Sequence, residues 1–180
     1  IRKERNLIEG KRDGKWLTYH ENGSIKGEGN FIEGKLDGKM TYYYENGQIK
    51  EEFAYNDGKR DGKHTWYYEN GQIKEEENFN KGKGKWTWYH ESGNIREIIT
   101  FKNGKIDGEM TSYYKYGQIK KEGEFDDGKR DGNWTSYHLR GQTKKEGNYK
   151  DGSRDGKHTW YYENGQIKDE YIYKNGIWVK

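Results

Sequence analysis

Residues 61–76 read Asp61-Gly-Lys-His-Thr-Trp-Tyr-Tyr-Glu-Asn-Gly-Gln-Ile-Lys-Glu-Glu76, and this stretch decides the fold. Lys63 to Tyr68 are rich in aromatic and β-branched residues, the types that suit a pleated, half-buried strand. The Asn70-Gly71 pair that follows is a strong hairpin signal, because a two-residue type I′ turn needs φ > 0 at both central residues. Ile73 to Phe79 form the return strand, and Asn80-Lys81-Gly82 makes a second polar turn.

The same pattern recurs along the whole chain. Gly14, Gly38, Gly62, Gly84, Gly108, Gly132 and Gly156 mark the copies, at spacings of 24, 24, 22, 24, 24 and 24 residues. The short spacing reflects a two-residue loss at Lys81-Gly82-Lys83-Gly84. A fixed period of this size means stacked supersecondary units. The fold class is therefore all-β: an elongated repeat array of seven antiparallel β-hairpins forming one long twisted or curved meander sheet. Residues 1–180 read as a single array, with a partial repeat at 1–12, seven repeats over 13–176 and a C-terminal apolar cap at 177–180. Ile1 falls in the Ile slot and Leu7 in the Phe slot, so residues 1–8 read as a return strand whose hairpin partner would lie upstream.

A two-residue turn fixes which side chains share a face. With Asn70 and Gly71 at the tip, Tyr68 falls opposite Ile73, Trp66 opposite Glu75 and His64 opposite Glu77. That face collects Trp16, Met40, His64, Trp86, Met110, Trp134 and His158, and it is the expected core. Ile25, Ile49, Ile73, Ile95, Ile119 and Ile167 are placed on it too, with Thr143 replacing Ile in one copy. The reverse face carries Tyr19, Tyr43, Tyr67, Tyr89, Tyr113, Tyr137 and Tyr161, each set opposite a basic residue: Lys26, Lys50, Lys74, Arg96, Lys120, Lys144 and Lys168. Such a ladder would place a cation against each ring, worth about 0.5–1 kcal/mol where exposed. Glu28, Glu52, Glu76, Glu122, Glu146 and Glu170 form an acidic row beside it.

Composition agrees with a thin, folded array. Hydrophobic residues make up 28%, charged residues 36%, and the mean hydropathy is −1.53, values that usually accompany disorder. Against disorder stand 17 Tyr and 7 Trp at fixed places in the repeat and the absence of Pro. The net charge of +3 comes from 34 basic and 31 acidic residues mixed throughout, which gives little long-range steering. No Cys occurs, which excludes disulfides and thiolate chemistry. No apolar run approaches the length of a membrane-spanning helix. Heavy use of Lys, Asn, Ile and Tyr with almost no Ala points to an A+T-rich, bacterial coding sequence. An exported or cell-surface location is slightly favoured over a cytoplasmic one.

Residues 61–76 (DGKHTWYYENGQIKEE) and 155–168 (DGKHTWYYENGQIK), entered through Asp57-Gly-Lys-Arg-Asp-Gly62 and Asp151-Gly-Ser-Arg-Asp-Gly156, resemble the bacterial variant of the MORN repeat. The likeness covers essentially the whole chain. It implies an elongated hairpin array acting as a scaffold for protein contacts, sometimes for lipid contacts, and some bacterial members carry an antitoxin-like label. It brings no catalytic motif and no cofactor. Choline- and glucan-binding wall repeats share a Trp-Tyr-Tyr strand before an Asn-Gly turn. They differ where this chain has Asp-Gly-Lys-Arg-Asp-Gly.

The remaining chemistry is sparse. His20, His90 and His138 occupy the slot of Tyr44, Tyr68, Tyr114 and Tyr162, so they read as aromatic-sized fillers without metal-ligand or general-base spacing. Asp57-x-Lys59-x-Asp61-Gly62 copies the opening of a calcium loop but sets Lys where an oxygen ligand belongs. Nucleic acid is disfavoured, since the Glu row would cancel much of the phosphate attraction. The expected function is a non-enzymatic scaffold engaging a protein partner through the Tyr–Lys face, at a bacterial cell surface. The alternatives are carbohydrate or cell-wall binding through exposed Trp and Tyr, or antitoxin-like binding.

Overall fold

The computed structural model describes residues 3–80 and 82–179; backbone only is described at residues 3–5 and 79. Contacts divide the chain into two compact units, residues 1–79 and 80–180. The first unit runs through β1 (Lys3–Ile8), β2 (Lys11–Tyr19), β3 (Ile25–Ile32), β4 (Lys35–Leu36), β5 (Gly38–Tyr43), β6 (Ile49–Asn56), β7 (Lys59–Tyr67) and β8 (Ile73–Asn80). The second runs through β9 (Lys83–Tyr89), β10 (Ile95–Lys102), β11 (Lys105–Tyr113), β12 (Ile119–Asp126), β13 (Lys129–Tyr137), β14 (Thr143–Lys150), β15 (Ser153–Tyr161), β16 (Ile167–Lys174) and β17 (Ile177–Trp178). Within each unit successive strands pair antiparallel, so the fold is an all-strand meander of hairpins. Among the described residues no helix is long and apolar enough to cross a membrane. The expectation for Ile1 and for Lys180 in the cap falls outside the described residues. Ile177, Trp178 and Val179 are exposed, with Trp178 edge-on to Tyr171 at 5.9 Å.

The Asn-Gly tips do not take the expected type I′ form. At the Asn-Gly tips only glycine has φ > 0, as at Gly71 (82°), while Asn70 does not. Tyr68 N–H donates to Gln72 O and Gly71 N–H to Tyr68 O, which closes a three-residue loop, Glu69-Asn70-Gly71. A left-handed glycine ending a three-residue loop makes a bulge at the tip. Asn is favoured here for its side chain instead: Asn70 Oδ1 accepts from Gln72 N–H at 2.9 Å. That is why Tyr116-Gly117 and Arg140-Gly141 close with the same backbone bonds although they lack Asn. The type I′ geometry sits at the other end of each hairpin, where Asp57 (48°) and Gly58 (75°) are both left-handed. There Asn56 pairs directly with Lys59.

The tip bulge shifts the register. His64 opposes Glu77 and Trp66 opposes Glu75 as expected, but Tyr67 then opposes Ile73, and Lys74 is the extra residue. The isoleucines therefore share the tyrosine face, contrary to their expected place in the core. A further irregularity at Asp-Gly gives most outgoing strands nine residues, and the copy that lost two residues has the seven-residue β9. Gly84, in that copy, is not left-handed, whereas Gly62, Gly108 and the other equivalents are.

The core is thin. Met40, Met110, Trp134 and His158 are buried on the expected face, joined by Phe31 and Tyr149. Trp134 lies edge-on to Phe125 (5.1 Å) and Tyr149 (6.3 Å). Glycine makes room for these rings: a Cβ at Gly147 would stand 2.1 Å from His158 Nδ1. The opposite face is packed too, since Thr41, Thr65, Thr87 and Thr159 are buried there. These threonines alternate with glutamates in one cross-strand row, Thr41–Glu52–Thr65–Glu76 in the first unit and Thr135–Glu146–Thr159–Glu170 in the second.

Candidate functional site

The seven ladder tyrosines all stand at the same register, but their cross-strand partners are not the cations. Tyr19, Tyr43, Tyr67, Tyr89, Tyr113 and Tyr161 oppose Ile25, Ile49, Ile73, Ile95, Ile119 and Ile167, and Tyr137 opposes Thr143. The expected cross-strand pairing with Lys26, Lys50, Lys74, Arg96, Lys120, Lys144 and Lys168 is thus corrected, and the bulge is the cause. Lys50, Lys120 and Lys168 instead approach the next residue's ring, at Tyr44, Tyr114 and Tyr162, each at 5.9 Å. That distance is near the outer limit of a cation–π contact.

The tyrosine hydroxyls reach the acidic row. Tyr43 donates to Glu28 at 2.6 Å, Tyr67 to Glu52 at 2.7 Å, Tyr137 to Glu122 at 2.5 Å and Tyr161 to Glu146 at 2.5 Å. Each bond spans 15 residues and ties one copy's outgoing strand to the previous copy's return strand. Short O–H···O⁻ bonds of this kind are among the stronger ones. Two of these carboxylates also take ammonium groups, Lys15 on Glu28 at 3.3 Å and Lys39 on Glu52 at 2.5 Å, and Lys63 pairs with Glu76 in the same acidic row.

The acid–phenol pairing moves both partners' titration. The Tyr43 hydroxyl, then Lys15, hold the Glu28 carboxyl below its ordinary value despite burial. At Glu52 burial pushes upward, and the Lys39 and Tyr67 hydrogen bonds outweigh it. Tyr43 is pushed up to about 12 by its bond to Glu28, and Tyr137 to about 12 by Glu122. Tyr67 also reaches about 12, through burial first and Glu52 second. So the tyrosines are half-buried, whereas the seven bulge cations are exposed. A cavity of about 380 Å³ in the first unit brings Lys26, Tyr43 and Lys50 together with His20, Tyr44 and Glu45.

The filler reading of the histidines agrees with the geometry. His20 Nε2 meets Tyr43 O at 3.0 Å and His138 Nε2 meets Tyr161 O at 3.1 Å. Tyr44 and Tyr114 hydroxyls donate to the equivalent carbonyls of Tyr67 and Tyr137, at 2.8 and 2.7 Å. All four bonds reach 23 residues ahead, one copy onward. The Asp-Gly loops are occupied likewise: Asp13 accepts from Glu33 N–H at 3.2 Å and Asp155 from Asn175 N–H at 3.3 Å. Among the described residues no group of three or more His, Cys, Asp or Glu is placed to hold a metal ion.

One feature of the core face escaped the sequence reading. In the second unit Lys121 lies 4.5 Å and Arg130 4.6 Å from the centroid of Trp134, and Lys145 lies 4.8 Å from that of Trp160. Arg154 stands 5.7 Å from Trp160 and 5.0 Å from Tyr173. The signal was available in the repeat itself, where GQIKEE at 47–52 becomes GQIKKE at 117–122 and GQTKKE at 141–146.

Comparison with known proteins places the repeat. The sequence profile described as MORN repeat variant matches seven times, at residues 12–33, 36–57, 60–81, 83–103, 106–127, 130–151 and 154–175. No curated protein matches. Among solved structures, the crystal structure of the GtfA/B complex bound to UDP and GlcNAc is 14% identical, with 58% of this chain and 21% of that chain covered. Its TM-score of 0.26 supports no structural argument. Seven matched copies make this chain a member of the MORN repeat variant family, built as a repeat scaffold of β-hairpins.

Proposed function

We propose that the chain is a non-enzymatic scaffold that holds a protein partner through its repeated rows of ladder tyrosines and bulge cations. The observation that carries this reading is the Tyr–Glu stitching. It fixes half-buried rings in one register and leaves an exposed cation beside an isoleucine in copy after copy. Ile25, Ile119 and Ile167 are exposed on this face, Ile167 by 57%. Rings already immobilised lose little rotamer freedom on binding, so a repeated strip of this kind suits contact with another protein. Placement at a bacterial cell surface rests on composition alone.

The test is capture from an extract of the source cells by the wild-type chain and by Lys120→Ala/Lys144→Ala/Lys168→Ala. These exposed positions leave the Tyr–Glu bonds intact, so circular dichroism should stay native. The captured protein should disappear with the triple variant. Retention of that protein, or quenching of Trp fluorescence by wall glycans in place of protein capture, overturns the proposal.

A further inference from the structure

The core face carries a local charge inversion. In the first unit a cross-strand row runs Thr18–Gly27–Tyr42–Glu51–Trp66–Glu75, so large rings alternate with carboxylates. In the second unit the corresponding row runs Glu97–Ser112–Lys121–Ser136–Lys145–Trp160–Asp169. Two successive copies have exchanged Glu for Lys and an aromatic residue for Ser. Serines replace the larger rings beside Lys121 and Lys145, and the carboxylates of the row stand only at its ends.

Arg130 and Arg154 add to the same surface from the neighbouring strands. Among the described residues, the carboxylate bonds that occupy Lys15, Lys39, Lys63 and Lys157 on the opposite face have no counterpart at these four cations. Their partners are rings and a phenol, Arg154 donating to the Tyr173 hydroxyl at 2.8 Å. The crowding shows in the titration of the group: burial first, then the neighbouring cations, hold Lys121 and Lys145 below the ordinary ammonium value. Tyr149 beneath them is displaced downward although burial opposes it, because Lys145, Arg154 and Arg130 favour the phenolate.

We propose that Lys121, Arg130, Lys145 and Arg154 form a docking surface for an acidic segment of a protein partner, laid in extended form across β12 to β15. Charge complementarity sets the class of occupant, and the rings select among anions. Trp134 and Trp160 already carry cations against their rings, which disfavours them as stacking platforms for a nucleobase. Carboxylates suit the arrangement. Lys121 and Lys145 are two strands apart, about 10 Å, and alternate side chains of an extended peptide repeat every ~7 Å. The surface lies on the face opposite the tyrosine ladder, so this proposal and the ladder contact fail separately.

The probe is fluorescein-labelled hexaglutamate, followed by anisotropy with the full chain at low ionic strength and again near ~150 mM salt. Wild-type protein should bind, more weakly in salt. Lys121→Glu/Lys145→Glu restores the residue type that Glu51 and Glu75 supply at this register in folded copies, and it should lower affinity at least ~10-fold. Lys121→Gln/Lys145→Gln, a milder pair, should also lower it, with near-UV circular dichroism unchanged. Lys15→Glu/Lys157→Glu makes the same net change at exposed lysines of the opposite face and should alter affinity by less than ~2-fold. Equal loss in both charge-reversed pairs, no binding by wild type, or equally tight binding of a single-stranded DNA oligonucleotide of matched charge would each overturn the proposal.

Discussion

Gly147→Ala is the sharpest probe of how this thin core is packed. His158 is fully buried and lies across the glycine of the preceding strand. A Cβ there would stand 2.1 Å from Nδ1, 2.4 Å from Cγ and 2.5 Å from Cε1, against ordinary contact from 3.4 Å upward. The ring has to move by more than an ångström, and it is tethered by Nε2–H donating to Asn148 O at 2.8 Å. Overpacking of this size costs about 1–3 kcal/mol, and the displaced hydrogen bond about 1 kcal/mol more. The substitution should therefore destabilise by about 2–4 kcal/mol, read as a fall in the urea midpoint of Trp fluorescence and circular dichroism. In a His158→Ala background the clash is gone, and Gly147→Ala should then cost less than ~0.5 kcal/mol. Additive costs in the two backgrounds would show that the glycine does not exist to admit the ring.

The other predictions concern turns, titration and the filler slot. Asp151 is left-handed (51°) and Asn70 is not, so Asp151→Ala should destabilise by about 1–2 kcal/mol, beyond Asn70→Ala, which loses one local hydrogen bond worth about 1 kcal/mol; urea midpoints rank them, and the reverse order contradicts the turn assignment. Ultraviolet titration at the phenolate band should show Tyr43, Tyr67 and Tyr137 ionising near 12, above the ordinary 10. Because the folded state holds these protons more tightly, their stabilisation is full below pH 10 and lost as pH rises through about 12; Tyr43→Phe should flatten that alkaline loss. At the acid end the sign reverses, since Glu28 and Glu52 titrate below their ordinary value of 4.5, and their contribution fades as pH falls through the depressed values. His138→Tyr should change stability by less than ~0.5 kcal/mol, because Tyr114 fills the equivalent slot with the equivalent carbonyl bond; a large loss by thermal melting would refute that equivalence.

The repeat period, the strand pattern and the buried Trp/Met/His slot were all legible in the sequence, because they follow from spacing and side-chain size. The histidines were legible as well, since alignment of copies set them where tyrosines stand. The tip geometry was not. Asn-Gly satisfies both a type I′ turn and a three-residue loop with a side-chain-capped Asn, and sequence alone does not separate them. That one residue of difference moved Ile73 and its equivalents to the tyrosine face and set Lys74 in a bulge. The Tyr–Glu bonds were hidden for a different reason: they join neighbouring copies, whereas cross-strand reasoning was confined to one hairpin. Lys121 and Lys145 were visible as departures from their own repeat, but their meaning depended on which face they occupied.

The phenol, carbonyl and loop bonds that stitch the copies reach 15 to 23 residues along the chain, from one copy to its neighbour. Coupling of that range makes cooperativity a nearest-neighbour property, and damage to one hairpin is felt chiefly by the two beside it. The array is thereby freed from a fixed length: copies can be gained or lost by recombination without redesigning a shared interior. A single copy's surface can then differ from its neighbours' without disturbing them, as in the fifth and sixth, where Lys121 and Lys145 stand in place of Glu.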